Sequence, residues 1–357
     1  MLINVQFLRF AAAMLVVFYH TSSHVRDAGV DQGALFAVSQ ALGFAGVDVF
    51  FVISGFIMAY TTGSAAGWQA SWTFARRRVA RIYSGYWSFF LFAWVLFAWV
   101  NPDFLATTNL ARSALLWPAN HLLIGVSWTL ICEMFFYLLY TLLMLCAEVE
   151  RKLLLKLLLG FIIAWSVYSQ FFRHAFDPGH LEYISLAEYY TLSPYLAEFL
   201  AGAIVAGWLR QDTGKHGWTW LVSGCLLFLL AGWINNNLFA GEIEQGYYVF
   251  YRVAAFGTPS LLILIGLVRL EQAGMRTPAR FSILVGGASY AIYLSHTLLL
   301  TTSQHFGFNT FAGSLAAPLA QILFFALAAL ILAYSVMHYQ FLERPLHGWF
   351  KRALRIC

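Results

Sequence analysis

The sequence predicts an all-α fold: a polytopic bundle of about ten transmembrane helices with both termini in the cytoplasm. Three observations carry that reading. Of 357 residues, 61% are hydrophobic and only 10% charged, where soluble domains run about 45–50% apolar and about 25% charged. The apolar residues gather into ten long runs separated by short polar loops. When those runs alternate in direction, 17 of the 21 Lys and Arg residues fall on one side, the positive-inside signature. This composition excludes a soluble globular enzyme, a disordered chain and a nucleic-acid-binding domain. The net charge of +5 is read as cytoplasmic Lys and Arg.

The runs justify themselves in order. The first, 5–24, lacks a cleavage site and has almost no charge ahead of it, so it reads as a retained helix and not a signal peptide. The second, 43–60, carries Gly43, Gly46, Ser54 and Gly55, small residues that let backbones approach closely. The third, 83–100, follows a basic stretch and stops at Asn101-Pro102-Asp103. The fourth and fifth, 122–146 and 153–172, flank Arg151 and Lys152, and Asp177-Pro178-Gly179 follows them. The sixth and seventh are 189–209 and 217–235, the latter ending at Asn235-Asn236-Asn237. The eighth and ninth, 248–268 and 282–303, are parted by Thr277-Pro278, and 313–340 completes the set. One transmembrane domain is expected over 1–345, then a short basic cytoplasmic tail at 346–357. The outer side receives only Arg26, Arg112, Arg173 and Arg252, together with acids such as Asp177, Glu182, Glu188 and Glu244. Cys132, Cys146, Cys225 and Cys357 match no metal or redox spacing and imply no disulfide framework.

Charge at bilayer depth costs at least about 2.5–3.5 kcal/mol, so each such residue is a functional candidate. They are His20, Asp48, Glu133, Glu198 and His296, with Arg9 at the inner edge. Arg9 and His20 lie on one face of one helix, about 16 Å apart along it. A guanidinium near the headgroups holds a phosphate and an imidazole further out does proton chemistry. A ligand with a phosphate head and a long thin arm spans that gap. The plainer reading makes Arg9 a topological anchor and His20 a helix-packing group. Asp48 and Glu133 are placed at the depth of His20, where a carboxylate orients an imidazole and raises its basicity; the plainer reading is a buried ion pair. Glu198 fits packing as readily as function. His296, on a stripe with Tyr290 and Tyr293, lines a cavity or bonds a neighbouring helix. The cluster Arg76, Arg77, Arg78 and Arg81 reads as topogenic charge or as a clamp for phosphates, and four arginines without a lysine favour the clamp. Trp117 and Trp128 near the outer mouth can stack on sugar rings. No zinc-protease, Walker, nucleophile-elbow or dinucleotide motif is present in the sequence.

Six segments in order resemble the acyltransferase-3 family of membrane acyltransferases. They are Leu8-Arg9-Phe10 with Phe18-Tyr19-His20; Gly46-Val47-Asp48 through Phe56; Arg77-Arg78 with Arg81; Ser127-Trp128-Thr129-Leu130 with Glu133, Phe136 and Tyr137; Ser289-Tyr290 with Tyr293 and His296; and Glu343-Arg344-Pro345. One departure is that Ser84-Gly85 stand where the arginine motif usually continues with Pro and a bulky residue. The opening looks most like the exopolysaccharide-modifying branch. The resemblance implies transfer of an acyl group, usually acetyl, from cytosolic acyl-CoA to a carbohydrate hydroxyl. The acceptor is a surface or lipid-linked glycan at the outer side of a bacterial inner membrane. It implies His20 as catalytic base, oriented by Asp48 or Glu133, or else acylated itself. Arg9, Arg77, Arg78 and Arg81 are assigned to CoA, and Trp128, Tyr293 and His296 to the acceptor. Acyl-CoA is then a donor substrate, with membrane lipid around the chain, and no resident cofactor, metal or nucleic acid is expected. The alternative class is a transporter or flippase for a lipid-linked glycan, which would use the same buried charges as a path.

Overall fold

The computed structural model describes residues 2–31, 33–174, 184–212 and 214–355. Asp177, Glu182 and Cys357 lie outside the described residues. Everything regular in the described part is helix, with no strand. That is what an apolar medium dictates, since only a helix satisfies its backbone donors and acceptors within one segment.

Among the described residues, ten helical spans are long and apolar enough to cross a membrane. They are α1 (Ile3–Asp27), α2 (Gly33–Thr62), α3 (Trp68–Val100), α4 (Gly125–Leu143), α5 (Glu148–Phe171), α6 (Leu186–Gln211), α7 (Gly217–Leu238), α8 (Gly246–Gln272), α9 (Ala279–His305) and α10 (Ala317–Ala353). The number matches the sequence reading and three boundaries do not. The second span starts at Gly33 and tightens to a 3-10 turn at Gly43–Ala45 before resuming at Gly46. The third starts at Trp68, so Arg76 to Arg81 sit inside a helix and not ahead of one. The stretch expected as a basic tail is helical as far as Ala353, because a π turn at Tyr339–Glu343 leads directly into Arg344–Ala353. That last helix packs along α3. Arg76 Nη1 donates to the Leu354 carbonyl at 3.0 Å, and Ser84 Oγ lies 3.3 Å from His347 Nδ1.

The spans differ in how deeply they sit. Of the apolar stretch of α2, 83% is buried inside the protein, and of α9 72%, against 22% for α7. The centre is therefore α2 and α9 with α1, α4 and α6 around them, while α5, α7 and α10 face outward. Small residues make the centre tight, since packing between membrane helices depends on close approach and not on a hydrophobic drive. A methyl group at Gly55 would overlap the Phe199 carbonyl, and one at Gly202 the Val52 carbonyl. So α2 and α6 touch backbone to backbone.

Connections at one end tie the spans together. The Ile3 and Asn4 amides each donate to the Glu271 carboxylate at 2.8 Å. Arg269 reaches Asp212 at 2.8 Å. Arg151 donates to the Gly63 and Ala65 carbonyls at 2.5 and 2.8 Å. This end holds the arginines of α3 and the C-terminal helix. At the opposite end Arg173 pairs with Glu188 at 2.6 Å. Arg252, counted on the outer side because it stands near the start of its run, lies inside α8, is only 4% exposed and turns inward to meet the Asp48 carboxylate.

Gly55→Leu or Gly202→Leu forces α2 from α6, at a cost of about 1–3 kcal/mol or more. The thermal midpoint of the detergent-purified protein is expected to fall for both. Gly160→Leu, which meets open space on α5, leaves it unchanged.

Candidate active site

Among the described residues, three cavities are related by shared lining side chains. The first, about 120 Å³, is lined by Arg9, Ser54, Arg78, Arg81, Glu133 and Tyr290 among others. The second, about 320 Å³, is lined by Tyr19, His20, Trp128, Tyr195, Glu244 and Arg252 among others. Val47 and Tyr293 belong to both and form the wall between them. A third, about 510 Å³, opens at the arginine-rich end beside Thr61, Thr62, Gln69, Thr73 and Arg77, and meets the first at Arg78. Their linings succeed one another from the arginines of α3, by Glu133 and Tyr293, to His20.

The arginine side is built from α1, α3 and α4. Arg78 lies over the Phe74 ring at 4.9 Å and the Tyr137 ring at 5.6 Å. Arg81 pairs with Glu343 at 2.6 Å and lies over Tyr290 at 5.4 Å. Glu343 is fully buried and sits in the π turn of α10. Arg9 Nη1 donates to Gln6 Oε1 at 3.3 Å. Glu133 faces this same cavity, where Ser54 Oγ donates to it at 2.8 Å and the Tyr137 hydroxyl at 2.5 Å.

On the other side of Tyr293, His20 Nδ1 lies 3.0 Å from the Val16 carbonyl and 3.2 Å from His296 Nε2. Asp48 is gripped by Arg252, Nε at 3.0 Å and Nη2 at 2.7 Å, and Arg252 Nη2 also donates to the Phe44 carbonyl at 3.1 Å. Glu198 lies beside this pair, its carboxyl fitted against Gly257 in a π turn at Val253–Gly257. Tyr293 is fixed by two hydrogen bonds: Thr129 Oγ1 donates to its oxygen at 3.0 Å and its hydroxyl donates to the Val126 carbonyl at 3.1 Å. Trp128 stands against Tyr195, ring centroids 5.4 Å apart. At the far rim the Tyr19 hydroxyl donates to Glu244, and burial pushes the Glu244 carboxyl above the usual carboxylate range.

Two expectations are corrected. Neither Asp48 nor Glu133 contacts His20. Asp48 is neutralised by Arg252, and Glu133 belongs to the arginine-lined cavity, so among the described residues no carboxylate contacts the imidazole. His296, expected to meet the acceptor, lines none of these cavities; it is fully buried behind His20. Sequence reasoning missed Arg252 as a buried group, although it falls within the run 248–268, where any charge is conspicuous. It saw Glu343 only as part of a motif, because nothing local points to its partner on α3.

A family model described as an acyltransferase domain matches residues 2–338. The chain belongs to the acyltransferase-3 family. As a member of it, the protein is a multi-pass membrane O-acyltransferase. The acyltransferase MdmB of Streptomyces mycarofaciens is 29% identical over 316 residues, 82% of this chain and 77% of that protein. The exopolysaccharide production protein ExoZ of Rhizobium meliloti (strain 1021) is 28% identical over 323 residues, 85% of this chain and 90% of that protein. No solved structure matches. Within this acyltransferase-3 chain the match takes in every cavity-lining side chain named above.

Arg252→Leu strands the Asp48 carboxylate in the interior, and breaking a buried pair in this way costs about 3–5 kcal/mol. Adding Asp48→Asn is expected to recover most of the loss. Thermal unfolding of the single and double variants in detergent measures the coupling.

Proposed function

We propose that this acyltransferase moves an acyl group, acetyl by the family's habit, from acyl-CoA to a hydroxyl of a surface or lipid-linked carbohydrate. The arginine-rich end faces the cytoplasm by the positive-inside rule, and the membrane is the bacterial inner membrane. The observation that carries this reading is the succession of cavity linings from Arg77, Arg78, Arg81 and Arg9 to His20. Its ends differ in chemistry. Guanidinium groups at one end suit phosphates. An imidazole among Trp128, Tyr189 and Tyr195 at the other suits a sugar ring, whose C–H face stacks on aromatic side chains. The name of the Rhizobium relative, an exopolysaccharide production protein, supports a carbohydrate acceptor.

The steps follow from that placement. Arg77 and Arg78 receive the CoA phosphates at the mouth, with Arg9 and Arg81 deeper in. The thin pantetheine arm runs through the first cavity and brings the thioester past Tyr293. His20 Nε2 takes the proton of the acceptor hydroxyl as its oxygen attacks the thioester carbonyl. The carbon–sulfur bond breaks, and the proton passes from His20 to the departing thiolate. Ester and CoASH leave on opposite sides, and no net proton is consumed. Histidine as base contributes roughly 10²–10⁴-fold, and the shared cavity supplies orientation.

Two substitutions separate the ends. In proteoliposomes given radiolabelled acetyl-CoA and whole surface polysaccharide extracted from cells of the same source lacking the gene, His20→Ala is expected to abolish label transfer and CoASH release. Arg78→Ala is expected to raise KM for acetyl-CoA about 10- to 150-fold, the loss of one charge-assisted hydrogen bond of about 1.5–3 kcal/mol, with the maximal rate little changed. Full transfer by His20→Ala would overturn the scheme. Polysaccharide moved across the vesicle without CoASH release would indicate a transporter instead.

A further inference from the structure

The proposed base is held by another histidine. His20 Nδ1 has two neighbours, the Val16 carbonyl at 3.0 Å and His296 Nε2 at 3.2 Å. The rings stand 4.9 Å apart at 59°. A carbonyl only accepts, so Nδ1 of His20 carries the proton and its Nε2 keeps the lone pair. His296 Nε2 then meets an N–H and acts as acceptor, which places its own proton on Nδ1. The Ile292 and Tyr293 carbonyls on the same helix lie beside that ring, outside hydrogen-bond geometry with Nδ1.

His296 is suited to this and to little else. It is fully buried and lines none of the three cavities, so no substrate reaches it. The two helices that carry these histidines also pack closely nearer the other end, where a methyl group at Gly286 of α9 would overlap the Gln6 carbonyl of α1. The carboxylates that would ordinarily orient a histidine are engaged elsewhere, Asp48 with Arg252 and Glu133 with Ser54 and Tyr137. A neutral imidazole does the same orienting work without bringing a further charge into the membrane interior.

We propose that His296 is the positioning residue for His20. Its Nε2 lone pair and the Val16 carbonyl share the His20 Nδ1–H, fixing the tautomer that leaves Nε2 free to take the acceptor proton. This rests on His20 being the base of the reaction proposed above. His296→Leu keeps the bulk and removes the acceptor, whereas His296→Gln keeps an acceptor oxygen in reach. With radiolabelled acetyl-CoA and the same polysaccharide, His296→Leu is expected to lower kcat on the order of 10²-fold. KM for acetyl-CoA stays within about threefold, since positioning acts on the chemical step. His296→Gln is expected to regain about tenfold or more. Wild-type kcat in His296→Leu, equal losses in the two variants, or a KM that rises in step with the loss would overturn the role. Should His296→Leu fail to purify as a monodisperse protein, His296→Gln decides alone: a rate within about tenfold of wild type supports the role and a loss on the order of 10²-fold overturns it. His20→Ala run in parallel separates the two ideas. Transfer by His20→Ala sinks the reaction scheme and this role together, while an inactive His20→Ala beside a fully active His296→Leu sinks the positioning role alone.

Discussion

A charge carried into an apolar interior has to be met there by its opposite, and this bundle is arranged around two such meetings. Arg252 and Asp48 join α8 to α2, at 2.7 Å. Arg81 and Glu343 join α3 to α10, at 2.6 Å. Each pair has a member on or next to a π turn, Val253–Gly257 after Arg252 and Tyr339–Glu343 ending in Glu343. A π turn widens the helix by one residue and rotates the residues beyond it, and such turns gather at functional sites. Here they bring a long polar side chain to the partner that makes its burial tolerable.

The cavities occupy the space between these two braces. Arg81 lines the first and Arg252 the second, with Tyr293 and Val47 between. Backbone contacts through small residues hold the frame. Polar groups line these cavities: Ser54, Glu133, Arg81 and Arg252 are engaged by neighbours, while Arg78 Nε has no hydrogen-bond partner among the described residues. Walls of that kind suit a substrate whose ends differ in polarity, as acyl-CoA does.

The proposed reaction divides its labour along one helix. Arg9 lines the arginine-side cavity and His20 the other, both on α1. The arginines of α3 and the hydroxyls of Thr61, Thr62 and Thr73 surround the entrance. Aromatic rings take over beyond Tyr293. The chemistry changes where the wall residues change, as the proposed pairing of an anionic donor with a sugar acceptor requires.

Much of the fold was legible in the sequence, because membrane insertion is a local property. Twenty apolar residues span a bilayer whatever their neighbours, and Lys and Arg accumulate on one side of each span independently. The number of spans, the basic face and the shared face of Arg9 and His20 all follow from local pattern. Partnerships do not. Asp48 and Arg252 are 204 positions apart, Arg81 and Glu343 262, and His20 and His296 276. Depth along a helix put Asp48 and Glu133 near His20, but depth says nothing about which way a helix faces or which helix stands beside it. Helix packing alone decided that Asp48 turns to Arg252, that Glu133 turns to the arginine side, and that the imidazole of His20 finds another imidazole.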